Sequence, residues 1–145
     1  MTAGAGDAHP GFGAFAKAHR EFFDALGPDG WQPVAGYCGV AEKILSGRLD
    51  PVRRTGALTR LSRWEPGARV ETAVSHAWCE EVFIISGTLS IGLAGGLRIG
   101  QADGPGPVTR LGPGTYACRP ADIPHGPFFS ETGCLMIEFT YFPPI

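Results

Sequence analysis

Apolar residues after position 39 occur in short runs that are separated by glycine, proline and small polar residues. Several runs are rich in valine, isoleucine, threonine and aromatic residues, and many alternate apolar with polar positions, which is typical of β-strands. Nine strands are predicted, at residues 40–46, 57–64, 69–74, 81–86, 88–93, 97–99, 108–111, 115–119 and 134–142. So many short strands in one small chain without an internal repeat indicate a single barrel or sandwich.

In the first part of the chain, the apolar residues repeat with a different period from that of the predicted strands. Between residues 12 and 26, apolar side chains recur at roughly helical spacing with charged residues between them, and Gly27 and Pro28 end the pattern. We therefore predict an N-terminal helical extension over residues 1–38, followed by an all-β domain over residues 39–145. The apolar face of this helix has to pack against either the outer wall of the barrel or a second subunit.

The amino-acid composition agrees with an all-β domain and limits the classes of binding partner. The 22 glycines and 13 prolines lie between apolar runs, as turns between strands do. Twelve basic and 14 acidic residues are scattered and give a net charge of −2, so we expect no nucleic-acid partner. We also expect no membrane partner and a cytoplasmic location, because no leader pattern and no run of roughly 20 apolar residues occurs.

Two segments contain the candidate chemistry. In EPGARVETAVSHAWCEEVFIISG, residues 65–87, a strand enters, turns at about residue 78 and leaves as an apolar strand. Strand alternation places Val74 and His76 on one face, and the returning strand can bring Glu80 opposite His76, with Glu81 pointing to the other side. In LGPGTYACRPADIPHGP, residues 111–127, a proline-rich turn presents His125.

These segments resemble the two motifs of the cupin superfamily. Glu80 and Gly87 occupy the last positions of the first motif, and His76 stands where its second histidine belongs. The second motif falls on Gly114, Pro120, Asp122 and His125, with Asp122 in place of a glycine. The strings EEVFIISG and HGPFFSETGC are most similar to ChrR-type cupin domains and related small dioxygenases. The resemblance implies a double-stranded β-helix (jelly-roll) barrel and, by analogy with small cupins, a homodimer.

One departure from the motif affects the expected metal site. The first motif histidine falls on Val74, which leaves His76, Glu80 and His125 as three ligands where the family pattern has four. Two histidines and one carboxylate compose the triad of non-haem iron oxygenases, with positions left for substrate and dioxygen. Fe²⁺ is the favoured ion, and Zn²⁺, Mn²⁺, Ni²⁺ or a site without metal are the alternatives.

Further residues are candidates for a role in the cavity. If no metal binds, His76 or His125 paired with Glu80 can act as general acid and base. Glu138 interrupts the apolar strand LMIEFTYF, so it lies either on the solvated face or in the cavity. Tyr116 is a further catalytic candidate. Two arginines on a predicted strand could anchor a polar substrate, namely Arg60 and Arg63.

Three functions remain open from the sequence. The leading hypothesis is a metal-dependent enzyme with dioxygenase-like chemistry on an oxygenated or aromatic small-molecule substrate. The second is a metal-independent lyase, dehydratase or cyclase of secondary metabolism. The third is a non-catalytic sensor of a small molecule or metal, as the similarity to anti-sigma factor domains allows.

Overall fold

A computed structural model describes residues 6–92 and 108–144. Within these ranges the chain forms one short 3₁₀ helix, Pro10–Phe15, and nine strands. The predicted all-β architecture is confirmed, and the predicted strand at 97–99 lies outside the described residues. The strands are β1 (Trp31–Pro33), β2 (Cys38–Asp50), β3 (Thr55–Val70), β4 (Cys79–Gly87), β5 (Leu89–Ile91), β6 (Thr109–Leu111), β7 (Tyr116–Arg119), β8 (Phe128–Phe129) and β9 (Cys134–Tyr141).

All nine strands belong to one curled antiparallel sheet organised around β3. Along one edge β3 pairs with β2, which in turn pairs with β1. Along its other edge β3 pairs first with β9 and then, near its end, with β8. β9 continues to β4 and β7, and β8 continues to β5 and β6. The two halves of the barrel therefore share β3.

The structure corrects the prediction of two strands at 57–64 and 69–74. β3 runs unbroken to Val70, and Pro66 and Gly67 mark the place where its partner changes from β9 to β8. Gly67 has a φ of 86° there, and its N–H donates to the Ser130 carbonyl at 2.7 Å. Proline and glycine thus bend a continuous strand at a bulge instead of ending it.

The predicted amphipathic helix over 12–26 is wrong. Within the described residues no α-helix forms, and Phe22 is fully exposed instead of packing on an apolar stripe. Ala16 adopts a left-handed conformation directly after the 3₁₀ helix, which ends it. Lys17 then donates to the Ser46 and Thr59 hydroxyls, so the segment runs along the outer face of β2 and β3 in a non-helical conformation.

The core lies inside the curve of the sheet. Along β9, alternate residues point inward, and the inward series changes from apolar at Met136 to charged at Glu138. Trp64 of β3 and Ile84 of β4 pack with Met136 at the apolar end. The interior therefore has an apolar end and a polar end, and the candidate site lies in the polar part. No helix among the described residues is long and apolar enough to cross a membrane.

Candidate functional site

His76, Glu80 and His125 converge inside the barrel, as the sequence predicts. His76 Nε2 lies 3.7 Å from Glu80 Oε2, and His125 Nε2 lies 3.8 Å from Glu80 Oε1. One ligand atom from each residue can be chosen so that all lie within 4.8 Å of one another. The three side chains come from the loop after β3, from β4 and from the loop after β7. A single ion is therefore within reach of all three.

Three backbone hydrogen bonds hold the two histidine loops together. Val74 and His125 exchange reciprocal N–H···O bonds of 2.8 and 2.9 Å, and the Asp122 N–H donates to the His76 carbonyl at 2.7 Å. These bonds fix the loops at the point where each presents its imidazole. A site on two loops gains in this way part of the rigidity that strands provide.

Asp122 occupies its motif glycine position with a left-handed backbone, at a φ of 66°. Aspartate tolerates this conformation better than most residues, which explains how it replaces glycine here. We expect Asp122→Gly to keep the free energy of unfolding within roughly 0.5 kcal/mol, and Asp122→Val to lower it by about 1–2 kcal/mol. Urea unfolding measures both, and equal losses in the two variants would contradict the proposed backbone requirement.

The two imidazoles are oriented by different contacts. His125 Nδ1 lies 2.9 Å from the Ile123 carbonyl, so this nitrogen carries the proton and Nε2 keeps its lone pair. His76 stacks on Trp78 with ring centroids 4.9 Å apart and planes within 1° of parallel. A histidine fixed by a backbone carbonyl through its second nitrogen is the usual arrangement of a metal ligand.

The charge on Glu80 is strongly affected by its surroundings. The residue is 6% exposed, and burial, followed by the charge of Glu138, raises its pKa to about 7. Arg60 and Arg119 act in the opposite direction and lower the pKa, with closest contacts of 3.8 and 3.3 Å. An ion next to this carboxylate would stabilise its charged form further.

Both imidazoles are held in the neutral form that binds metals. Burial lowers the pKa of His76, and the charges of His125 and Arg60 lower it further. Burial is also the largest cause that lowers the pKa of His125. The donor set is thus two imidazoles whose neutral form is favoured and the Glu80 carboxyl group, and with that group ionised the set suits the divalent first-row transition ions.

Arg60 connects three carboxylates at the polar end of the interior. Its Nε donates to Glu138 at 2.7 Å, its Nη1 donates to Glu42 at 3.1 Å, and its Nη2 lies 3.8 Å from Glu80. The network is largely buried, since Glu138 is 8% exposed. Its role is to compensate negative charge, because three carboxylates this close together would otherwise repel one another.

A cavity of about 60 Å³ opens beside the three candidate ligands. Its polar walls include both histidines, Glu80 and Glu138. Its apolar walls are formed by side chains from five strands and the first histidine loop, namely Trp64, Val70, Val74, Val82, Leu89, Phe128 and Met136. The volume accommodates a few water molecules or a small polar head group.

The structure separates the remaining predicted residues into two groups. Glu138 and Arg60 line the cavity, which resolves the ambiguity about Glu138. Glu81 points to the outer face, as predicted, and Tyr116, which is 55% exposed, donates to it there. Tyr116 is therefore not brought to the cavity. Arg63 also lies outside, with its guanidinium 4.2 Å from the centroid of the Trp31 ring.

Two cavity residues were missed by the sequence analysis. Arg119 lies on β7 directly opposite Glu80 on β4, and Tyr37 lines the cavity from the turn before β2. Burial, followed by the charge of Glu80, raises the pKa of Tyr37. The strand pairing that places Arg119 beside Glu80 was the missing signal, because alternation along β7 alone does not say which face is inside.

Comparison with known proteins supports the fold. No protein-family model and no curated protein sequence matches the chain. Similar solved structures include an RmlC-like cupin from Shewanella frigidimarina, with 14% identity and a TM-score of 0.59 over 88% of this chain and 94% of that chain. The polyketide cyclase RemF from Streptomyces resistomycificus has 16% identity and a TM-score of 0.59, over 87% and 83%. An acetylacetone dioxygenase from Acinetobacter johnsonii has 17% identity and a TM-score of 0.56, over 88% and 77%.

The chain has the cupin fold. This agrees with the fold that the resemblance of the two motifs implies, and the three candidate ligands converge inside the barrel. Val74, at the first histidine position of the cupin motif, also lines the cavity. Of the four positions at which the resemblance implies donors, three therefore carry donor side chains in this chain and one is apolar.

The spacing of the three donors fits a divalent ion. Donor atoms bound at about 2.1 Å to one tetrahedral or octahedral ion lie roughly 3.0–3.4 Å apart. The observed separations of 3.7 and 3.8 Å between the imidazole nitrogens and the Glu80 oxygens exceed this by a few tenths of an ångström, and the donor atoms of all three residues lie within 4.8 Å of one another. Side-chain rotations that draw the three donors together would close the difference, so the residue types and their convergence fit a metal centre.

Proposed function

We propose that this cupin is a metal-dependent small-molecule enzyme in which His76, Glu80 and His125 hold one divalent ion, with Fe²⁺ favoured. The observation that carries the proposal is the convergence of two neutral imidazoles and a buried carboxylate within 4.8 Å beside a cavity. A triad of this composition is typical of non-haem iron oxygenases. The fold similarity to an acetylacetone dioxygenase supports dioxygenase-like chemistry on an oxygenated or aromatic substrate.

Some residues of the chain would bind the ion, and others form the surroundings of the cavity. A bound iron supplies Lewis acidity and the one-electron chemistry that dioxygen activation requires. His76 and His125 would hold the ion through their Nε2 lone pairs, and Glu80 would compensate part of its charge. The apolar walls formed by Val82, Phe128 and their neighbours exclude bulk water, which strengthens the electrostatic interactions inside the cavity.

The metal content of the purified protein tests this proposal. We expect one ion per chain after purification without chelator, and a more than roughly 100-fold loss of affinity in His76→Ala, Glu80→Ala and His125→Ala. The loss should exceed the roughly 10- to 100-fold effect of changing residues that only support a ligand. Elemental analysis and competition with a chromophoric chelator measure stoichiometry and affinity.

His19→Ala is a matched control for the histidine variants. This histidine lies on the exposed N-terminal segment with 67% of its side chain accessible, so its loss should leave metal binding unchanged. Wild-type protein that binds no ion after reconstitution with Fe²⁺, Mn²⁺, Zn²⁺ or Ni²⁺ would overturn the proposal. Variants that bind with wild-type affinity would overturn the assigned ligands.

A second candidate function is a metal-independent lyase, dehydratase or cyclase. The observations that favour it are the apolar Val74 at a ligand position and the closeness of His76 to Glu80, whose 3.7 Å Nε2–Oε2 separation would have to shorten to about 2.6–3.2 Å for direct proton transfer. The fold similarity to the polyketide cyclase RemF agrees with it. Turnover that persists after exhaustive chelation supports this candidate, and turnover restored by only one metal rejects it.

A further inference from the structure

Two arginines line the cavity, and their surroundings differ. Arg60 is held by Glu138 at 2.7 Å and Glu42 at 3.1 Å. Within the part of the chain that the structure describes, Arg119 has one ion-pair partner, Glu80, at 3.3 Å. Charge-assisted hydrogen bonds of this kind are usually about 2.7–2.9 Å long, so the contact is loose. The guanidinium of Arg119 therefore retains donors that its neighbours among the described residues do not use.

The charge balance of the cavity depends on the metal. Arg60 and Arg119 face three acidic side chains, those of Glu42, Glu80 and Glu138, and because the pKa of Glu80 is about 7, the group without an ion carries between zero and one net negative charge near pH 7. A divalent ion on Glu80 changes this to one net positive charge. In a buried site an uncompensated charge is unfavourable, and an anionic ligand would neutralise it.

We propose that Arg119 binds the carboxylate of an anionic substrate beside the metal, an inference that rests on the proposed metal-dependent function. Arg119 is placed for this role by β7, which sets it directly opposite Glu80. Its side chain is 21% exposed, so it lies between the ligand cluster and solvent. The planar guanidinium matches a carboxylate with two parallel hydrogen bonds, a geometry that lysine does not offer.

The shape of the cavity agrees with a small anionic head group. A volume of about 60 Å³ leaves space for a carboxylate and little more, so the rest of the substrate extends toward the opening. The Arg119 guanidinium carbon lies 6.0 Å from the centroid of the Phe128 ring, which borders the same cavity. The carboxylate group is therefore the part of the substrate that this end of the cavity recognises.

Anion binding to cobalt-loaded protein tests the inference. The visible spectrum of Co²⁺-substituted wild-type protein is titrated with propionate, with the neutral isostere propanamide and with inorganic phosphate. We expect propionate to bind at least tenfold more tightly than propanamide, and at least tenfold less tightly to Arg119→Gln than to wild type. Propionate binding to the metal-free protein is measured by calorimetry, and we expect it to be at least tenfold weaker than binding to the loaded protein.

The controls separate this inference from the metal proposal. Arg63→Gln removes a cation from the outer face and should leave propionate binding unchanged. Arg119→Lys keeps the positive charge but not the planar guanidinium, so its loss of propionate affinity should be intermediate. If Arg119→Gln does not fold, Arg119→Lys takes its place in the test. Equal propionate affinity in loaded wild type and Arg119→Gln, or tighter binding of phosphate than of propionate, overturns the carboxylate assignment alone. Wild-type protein that takes up no metal overturns both proposals.

Discussion

Arg60→Met should lower the free energy of unfolding by about 3–5 kcal/mol, the usual cost of removing one partner from a buried ion pair. Arg60 donates to Glu138 and Glu42 and approaches Glu80, and methionine fills a similar volume without the charge. The variant leaves the buried Glu138 and the half-buried Glu42 without the arginine that pairs with them, while Arg119 still contacts Glu80. Urea unfolding of the metal-free protein, with CD and fluorescence as parallel probes, measures the loss.

Arg63→Met is the matched control, because it changes the same residue type on the same strand but on the outer face. Arg63 lies 3.6 Å from Glu65 with about half of its side chain exposed, so its loss should cost about 1 kcal/mol or less. Adding Glu138→Leu to Arg60→Met removes a carboxylate that has lost its partner and should recover part of the stability. Similar losses in Arg60→Met and Arg63→Met would show that the buried network contributes little.

Strand alternation was sufficient to predict the inner position of Glu80 and the outer position of Glu81, because neighbouring residues on a strand face opposite sides. The same rule did not place Glu138 or Arg119. Alternation states which residues share a face, but only the pairing of strands shows which face is inside. Arg60 and Arg119 reach the site across pairings with β9 and β4, and these contacts join residues far apart in sequence.

The failed helix prediction has a local cause. Apolar spacing between residues 12 and 26 agreed with a helix, yet Gly13 within the segment has a non-helical backbone and Ala16 is left-handed. Tertiary contacts then outweigh the weak helix propensity of this segment, because Lys17 and Arg20 donate hydrogen bonds to groups on β2 and β3. The two motifs correctly predicted which residues converge, whereas the apolar periodicity predicted a helix that does not form. The motifs contain residues that the barrel brings together, and the periodicity describes only local spacing.

Val74→His should raise the affinity for a divalent ion at least tenfold, which corresponds to about 1.4 kcal/mol of binding free energy. Val74 lines the cavity and exchanges two backbone hydrogen bonds with His125, so the two residues are direct cross-strand neighbours. Side chains at such positions lie on the same face with Cβ atoms about 4.5–5.5 Å apart. An imidazole at position 74 therefore projects beside His125 and supplies the donor that the cupin motif has there.

Val74→Asn and Val74→Ala separate ligation from simple changes of polarity and space. Asparagine makes the wall polar with a poorer donor, alanine only enlarges the cavity, and both should bind metal within about threefold of wild type, a difference of roughly 0.7 kcal/mol. Competition with a chromophoric chelator measures all four proteins at one pH. An affinity of Val74→His at or below that of Val74→Ala would mean that the site is not a metal centre with one missing ligand. The acid and base pairing of His76 with Glu80 would then be the better account of this cavity, because it needs no fourth donor.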